Sequence, residues 1–235
     1  MKYIYNLILF CVLMPFIGYS QQLYVESGVT TASFENFKND LGENTLNNQY
    51  SKPLKLHLGT GILIDVFGEK DRFRSRREWN LATNVKWDVG LDYNKYQIKT
   101  GFIYGVTTVP LLYDLDFLAL KTGVNISFLN ISRIIFQAHA NISHDWLIDG
   151  TRVYENVVTD LKKENEFYKT LLNYHLGGDV EYALTDKTSF YVSYDLKRSF
   201  KKRNPENLGE ESYQIYANSI SIGLRINIGK DCYCY

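Results

Sequence analysis

The sequence is poor in the residues that staple or punctuate a small fold. Three cysteines, four prolines and two methionines occur in 235 residues, which excludes a disulfide framework and a proline-rich linker. Cys11 lies in an apolar leader, and Cys232 and Cys234 stand one residue apart in the tail Asp231-Cys-Tyr-Cys-Tyr235. A Cys-x-Cys pair with no histidine near it in sequence falls short of the four ligands of a structural zinc site. Charge of one sign is missing as well: 26 Lys and Arg balance 26 Asp and Glu. No basic excess points to nucleic acid. Only Ile4 to Ile17 is almost continuously apolar, too short for a transmembrane helix.

That run belongs to export. Met1-Lys2 gives a positive start, and Gly18 and Ser20 are small residues at the −3 and −1 positions before Gln21-Gln22. This is the pattern of a cleaved secretory signal over residues 1–20. Bulky Phe10 before Cys11, with the apolar run continuing past it, argues against a lipoprotein. Cleavage removes Lys2, Cys11 and both methionines, and leaves a nearly neutral chain.

Aromatics are abundant at 15%, with 19 Tyr and 13 Phe, and beyond the leader the chain alternates between apolar and polar residues. From Trp79 to Tyr93, Trp79, Leu81, Thr83, Val85, Trp87, Val89, Leu91 and Tyr93 share one face. Asn80, Ala82, Asn84, Lys86, Asp88, Gly90 and Asp92 share the other. Period-two alternation over such a length is a strand and cannot be an amphipathic helix. It is long enough to cross an apolar band of about 25 Å at a tilt near 40°. Segments 54–66, 118–128, 134–143, 172–182, 190–197 and 219–228 repeat the pattern, and Leu23 to Phe34 is a weaker first strand. In a soluble sandwich or a lipocalin-like barrel the polar face would be dominated by Lys, Glu and Asp. Here it carries Gly, Asn, Ser and His with isolated charges of both signs, which suits a narrow polar lumen.

The expected fold is therefore all-β: a closed antiparallel transmembrane β-barrel over residues 21–228, with a short periplasmic tail at 229–235. Short links at 128–132 and 184–188 alternate with long polar segments at 35–53, 146–167 and 199–212, matching short periplasmic turns and long extracellular loops. Tyr96, Ile98, Thr100, Phe102 and Tyr104 also look strand-like, but a separate crossing there makes the number odd. Residues 94–113 are therefore read as an outer loop, partly a strand extension, giving eight strands with ten as the alternative.

The face parity nominates a lumen network of Lys55, His57, Asp65, Lys86, Asp88, Lys121, His139, His175, Asp179, Glu181, Asp195 and Arg225. Enclosed charges must be paired, so a paired polar core is the expected role. A metal site could be drawn from the same residues, but nothing in the sequence fixes their relative heights. No Gly-x-Ser-x-Gly or His-Glu-x-x-His occurs, so no catalytic residue, metal or cofactor is assigned. The basic run Arg72-Phe-Arg-Ser-Arg-Arg77 is read as a solvated periplasmic turn.

Several stretches resemble a known family: Gln21-Gln22, Leu23-Tyr-Val-Glu-Ser-Gly-Val29 with Ser33-Phe34, Val89-Gly-Leu-Asp-Tyr-Asn-Lys-Tyr96, and Ser221-Ile-Gly-Leu-Arg-Ile-Asn-Ile228. They resemble the small eight-stranded outer-membrane β-barrel proteins, especially the PorT-like group. The last stretch is similar to the assembly signal of such proteins, carried here by Ser221, Gly223, Ile226 and Ile228. The resemblance implies location in the bacterial outer membrane, with its lipid and lipopolysaccharide and the barrel insertion machinery as partners. It carries no common activity. The expected function is a non-enzymatic barrel that binds an unidentified protein partner through its outer loops, or serves as an assembly partner. The alternatives are a lipid A-modifying enzyme, deacylase or acyltransferase, and a small-solute channel.

Overall fold

A computed structural model of the chain describes residues 21–38, 46–47, 52–66, 85–104, 107–163, 167–185, 187–200 and 212–228. The leader at 1–20, the basic run at 72–77 and the tail at 229–235 lie outside the described residues. Among the described residues there are ten antiparallel strands: β1 Gln21–Lys38, β2 Leu46–Asn47, β3 Lys55–Asp65, β4 Val85–Tyr104, β5 Thr107–Ile131, β6 Ile134–Tyr154, β7 Val157–Asp160, β8 Thr170–Ala183, β9 Thr188–Ser199 and β10 Ser212–Asn227. Eight of them form a ring in which β1 pairs on one side with β3 and on the other with β10. The short β2 and β7 only extend β4 and β6. Closure runs from Gln22 opposite Asn227 to Lys38 opposite Ser212. A ring with no open edge is the only sheet that tolerates hydrocarbon, because every backbone N–H and C=O finds a partner within it.

The start of β1, the end of β10, the β5–β6 turn and the β8–β9 turn lie at one end of the ring. Ser132 takes a left-handed φ of 57° in the first turn. In the second, Thr185 Oγ1 accepts from the backbone N–H groups of Lys187 and Thr188 at 3.2 and 3.0 Å. At the opposite, loop end, Glu155 and Asn156 both have positive φ, 46° and 68°, the two-residue turn whose twist suits a hairpin.

Strand lengths divide the molecule into two storeys. β3 and β9 have 11 and 12 residues, whereas β4, β5 and β6 have 20, 25 and 21. About ten tilted residues cross a bilayer core, so the longer strands continue well past it. The side chains mark where lipid stops. On β4 the outward residues change from Trp87, Val89 and Leu91 to Lys95, Gln97 and Lys99. The inward ones change from Lys86, Asp88 and Asp92 to Tyr96 and Ile98. On β5 the outward Leu118 and Leu120 give way to Asp114 and Asp116, while inward Lys121 gives way to Phe117, Leu115 and Tyr113. β10 inverts likewise between outward Ile220 and Asn218. Within lipid the chain is apolar outside and polar inside; beyond lipid it is the reverse, as in a water-soluble barrel.

That inversion corrects the reading of 94–113 as an outer loop. β4 and β5 pair without a register break from Val85 opposite Ile126 to Tyr104 opposite Thr107. Tyr96 and Ile98 switch parity relative to Trp87 to Tyr93 because the strand has left the bilayer, not because it has ended. Segment 146–167 is likewise largely strand, through the end of β6 and β7. The ring has eight strands, so the ten-strand alternative falls. Residues 79–84, the expected start of the strand seen here as β4, lie outside the described residues.

The belt is extensive. Ile220, Ile222 and Val25 are each 54% exposed, among many outward Leu, Val and Ile side chains that would form a far larger apolar patch than a soluble monomer carries. Its polar atoms are satisfied locally, as hydrocarbon requires. Trp87 Nε1 donates to Thr122 Oγ1 at 2.7 Å, and Thr60 Oγ1 donates to the Tyr24 carbonyl at 3.0 Å.

Candidate functional site

The interior stacks into layers. Nearest the start of β1 and the end of β10, Arg225 forks between two carboxylates: Nη1 donates to Glu181 Oε2 at 2.6 Å and Nη2 to Asp179 Oδ2. Its guanidinium lies 4.1 Å from the centre of the Tyr191 ring, a cation–π contact. Ser189 Oγ and Gln137 Nε2 fill the remaining acceptor positions of Glu181, each at 2.6 Å. Lys86 Nζ donates to Gln22 Oε1 in the same layer.

One layer up, Tyr24 Oη and Asn141 Nδ2 donate to the two oxygens of Asp88 at 2.9 and 3.0 Å. His139 Nε2 meets Asp195 Oδ1 at 2.5 Å. Above that, Lys121 Nζ bridges Asp92 at 3.0 Å and Glu26 at 3.4 Å. Tyr191 Oη and Ser221 Oγ donate to Glu26 Oε2 at 2.8 and 3.2 Å. His57 spans Glu26 at 3.4 Å and Asn94 Oδ1 at 2.8 Å. The top polar layer joins Lys197 to Asp145, with Ser143 Oγ donating to Asp145 at 2.5 Å and lying 2.8 Å from His175 Nε2.

Glycines make room for this network. A Cβ on Gly223 would fall 2.5 Å from Tyr191 Cζ, and one on Gly90 2.3 Å from Tyr24 Oη. Each glycine lets a tyrosine ring lie flat across the lumen and reach an acid on another strand.

The network is capped at the loop end by an apolar and aromatic cluster. Phe34 meets Tyr113 and Tyr213 edge-on at 4.9 and 5.1 Å, and Phe167 stacks on Tyr213 at 5.2 Å. Leu115, Phe117 and Leu161 are fully buried beside them. Among the described residues, polar side chains below and the apolar cluster above fill the barrel interior.

Of the expected lumen residues, His57, Lys86, Asp88, Lys121, His139, His175, Asp179, Glu181, Asp195 and Arg225 point inward in this network. Lys55 and Asp65 are only half-buried, at opposite ends of β3. Glu26, Asp92, Asp145 and Lys197 were not among the nominated residues. All four have lumen parity on their strands, so the alternation alone could have found them. Ser221 and Gly223 of the closing strand face the interior, while Ile226 and Ile228 face outward at 48% and 52% exposure.

Two arrangements have the look of chemistry. The ligand atoms of Glu26, His57 and Asp92 lie within 4.8 Å of one another, but Lys121 already supplies the positive charge among them. Ser143 with His175 is a nucleophile–base pair by distance. Asp145, however, accepts from the serine rather than orienting the histidine, and Ser143 is 1% exposed under the cap.

No family model and no curated protein matches the sequence. Solved structures do. The outer-membrane protease OmpT of Escherichia coli aligns at 9% identity and a TM-score of 0.50, covering 91% of this chain and 98% of that one. The Neisserial surface protein NspA aligns at 10% identity and a TM-score of 0.48, covering 88% and 96%. OprG of Pseudomonas aeruginosa aligns at 11% identity and a TM-score of 0.45, covering 91% and 99%. At such identities the likeness is one of fold. Together with the closed eight-stranded ring and its apolar belt, it gives this chain the architecture of a bacterial outer-membrane β-barrel.

Ile222 offers a direct check on the belt. Ile222→Lys places an ammonium on the lipid face of the closing strand in mid-strand, opposite Ser27 and Val192, a penalty of up to about 2–4 kcal/mol. The variant should insert poorly into lipid vesicles, read as loss of the compact, protease-resistant band. Ile226→Lys, at the end of the strand where the penalty falls to about 1 kcal/mol or less, should insert far better.

Proposed function

We propose that this protein is a non-enzymatic outer-membrane barrel that binds a protein partner through its loop end. The observation that supports this most is the upper storey. β4, β5 and β6 rise above the belt as a packed platform with its own aromatic core, which gives binding residues a rigid support. At its edge the β6–β7 hairpin presents Val157 and Val158, 62% and 65% exposed, next to Tyr154 at 38%. Exposed apolar side chains on a rigid hairpin beyond the bilayer are contact residues in search of a surface.

The two alternative activities fit less well. A solute channel needs a path, and both the paired polar layers and the aromatic cap lie across it. Among the described residues the serine–histidine pair within hydrogen-bond distance, Ser143 with His175, sits inside the barrel rather than at the lipid rim where a lipid A-modifying enzyme would need it.

The test is a mild-detergent pull-down from native membranes with the intact protein and with the double variant Val157→Asp, Val158→Asp. Capture of a partner by the first and its loss with the second is expected. Equal capture by both would move the contact elsewhere. An altered lipid A acyl pattern in a deletion strain, with no partner captured, would favour the enzyme.

A further inference from the structure

On the outer wall, the first charges above the belt are distributed unevenly. On the β4–β5 side, Lys95 Nζ lies 3.6 Å from Asp114 and 3.4 Å from Asp116, so a single cation faces two carboxylates. Across β1, β10 and β9 the balance reverses: among the described residues Arg198 and Lys52 stand there with one acid, Glu35. Arg198 Nη2 meets Glu35 Oε2 at 2.8 Å. Lys52 meets no carboxylate among the described residues.

Both cations gather about one ring. Arg198 is in register with Tyr216 of β10 on one side and with Tyr174 of β8 on the other, and such cross-strand neighbours have Cβ atoms about 4.5–5.5 Å apart. Lys52 Nζ lies 5.9 Å from the centre of the same Tyr216 ring, reaching it across β1. The cluster stands directly on the lipid-facing wall. The outward residue before Arg198 on β9 is Leu196, and Ile220 and Val29 lead up to the cluster on β10 and β1. Beyond Arg198, the exposed Phe200 ring lies 5.3 Å from Tyr174. Aromatic rings at the edge of the hydrocarbon sit at headgroup level, so the two cations are held at the depth of lipid phosphates. A guanidinium offers five donors in a planar fork. Glu35 meets Arg198 through Nη2, and the arginine side chain is 39% exposed, so a second oxyanion can reach it.

We propose that Arg198 and Lys52, arranged about Tyr216, bind the phosphate of a lipid in the leaflet at the loop end, whose acyl chains lie on Leu196, Ile220 and Val29. One molecule matches both halves of the site: an oxyanion for the guanidinium and ammonium, and hydrocarbon for the apolar strand face directly beneath. Charge directs the lipid to this side of the barrel, because the carboxylates about Lys95 repel a phosphate on the other. Glu35 orients Arg198 and also repels the ligand, which fixes a sign: removal of its charge strengthens phosphate binding. The site faces sideways into the membrane, and the proposal stands independently of any protein partner at the loop end.

The experiment titrates the folded full-length barrel in detergent with lipid A, with enzymatically dephosphorylated lipid A and with inorganic phosphate, and reads bound adducts by native mass spectrometry. Lipid A should bind about tenfold more tightly than its dephosphorylated form, and inorganic phosphate more weakly than either. The double variant Lys52→Gln, Arg198→Gln, checked first for its folded band, should bind lipid A about tenfold more weakly. Glu35→Gln should bind it about threefold more tightly, and Lys95→Gln should leave the affinity unchanged. Equal affinity for the two lipids would overturn the proposal and assign the contact to acyl chains alone. Inorganic phosphate binding as tightly as lipid A would overturn the choice of a lipid. Weaker binding by Glu35→Gln would overturn it too, since Arg198 and Glu35 would then form a structural bridge and no phosphate site.

Discussion

Arg225→Met should cost the barrel about 3–5 kcal/mol, because it leaves Asp179 and Glu181 enclosed without their shared cation. The variant should lose its folded band at a much lower temperature than the unsubstituted protein, or fail to refold from urea into lipid. The triple variant Arg225→Met, Asp179→Asn, Glu181→Gln removes the stranded charges as well and should recover most of the loss. Failure of the triple variant to recover would mean that the arginine matters for packing on Tyr191 rather than for charge.

A second large effect belongs to the upper storey. Phe34 is 1% exposed and holds Tyr113 and Tyr213 edge-on, so Phe34→Ala should cost about 3–5 kcal/mol of local packing. Since the cap lies beyond the belt, insertion should proceed normally. The damage should appear as new protease cleavage at the loop end while the membrane-embedded part stays intact. Loss of insertion would show that the two storeys do not fold as separable layers.

How far the sequence could be read depended on where lipid ends. Strands with one environment along their length, such as β3 and β9, were legible because one alternation runs from end to end. The polar face of Gly, Asn, Ser and His distinguished a lumen from a soluble surface, and parity alone placed Asp88, Lys121 and Arg225 inside. β4 and β5 were cut short because the alternation there holds two opposite codes in succession. Tyr96 and Ile98 are apolar because they face a dry interior, Trp87 and Leu91 because they face lipid, and hydrophobicity does not distinguish the two. Pairings were illegible for a different reason. Strand register sets which heights coincide, so Lys121 meets Asp92 and Glu26 rather than Asp88, and nothing in a single strand announces that.

The most direct measurement scans single nitroxide-labelled cysteines along the outward face of β5, at positions 112, 114, 116, 118, 120, 122 and 124, with Cys11, Cys232 and Cys234 replaced by serine. Collision with oxygen, which concentrates in lipid, is compared with collision with a water-soluble nickel complex. The inverted-storey account predicts lipid contact at 118, 120, 122 and 124 and water contact at 112, 114 and 116, with the change between Asp116 and Leu118. Water contact at every position would mean a soluble barrel, and lipid contact at every position would place the whole of β5 in the membrane; either would contradict it.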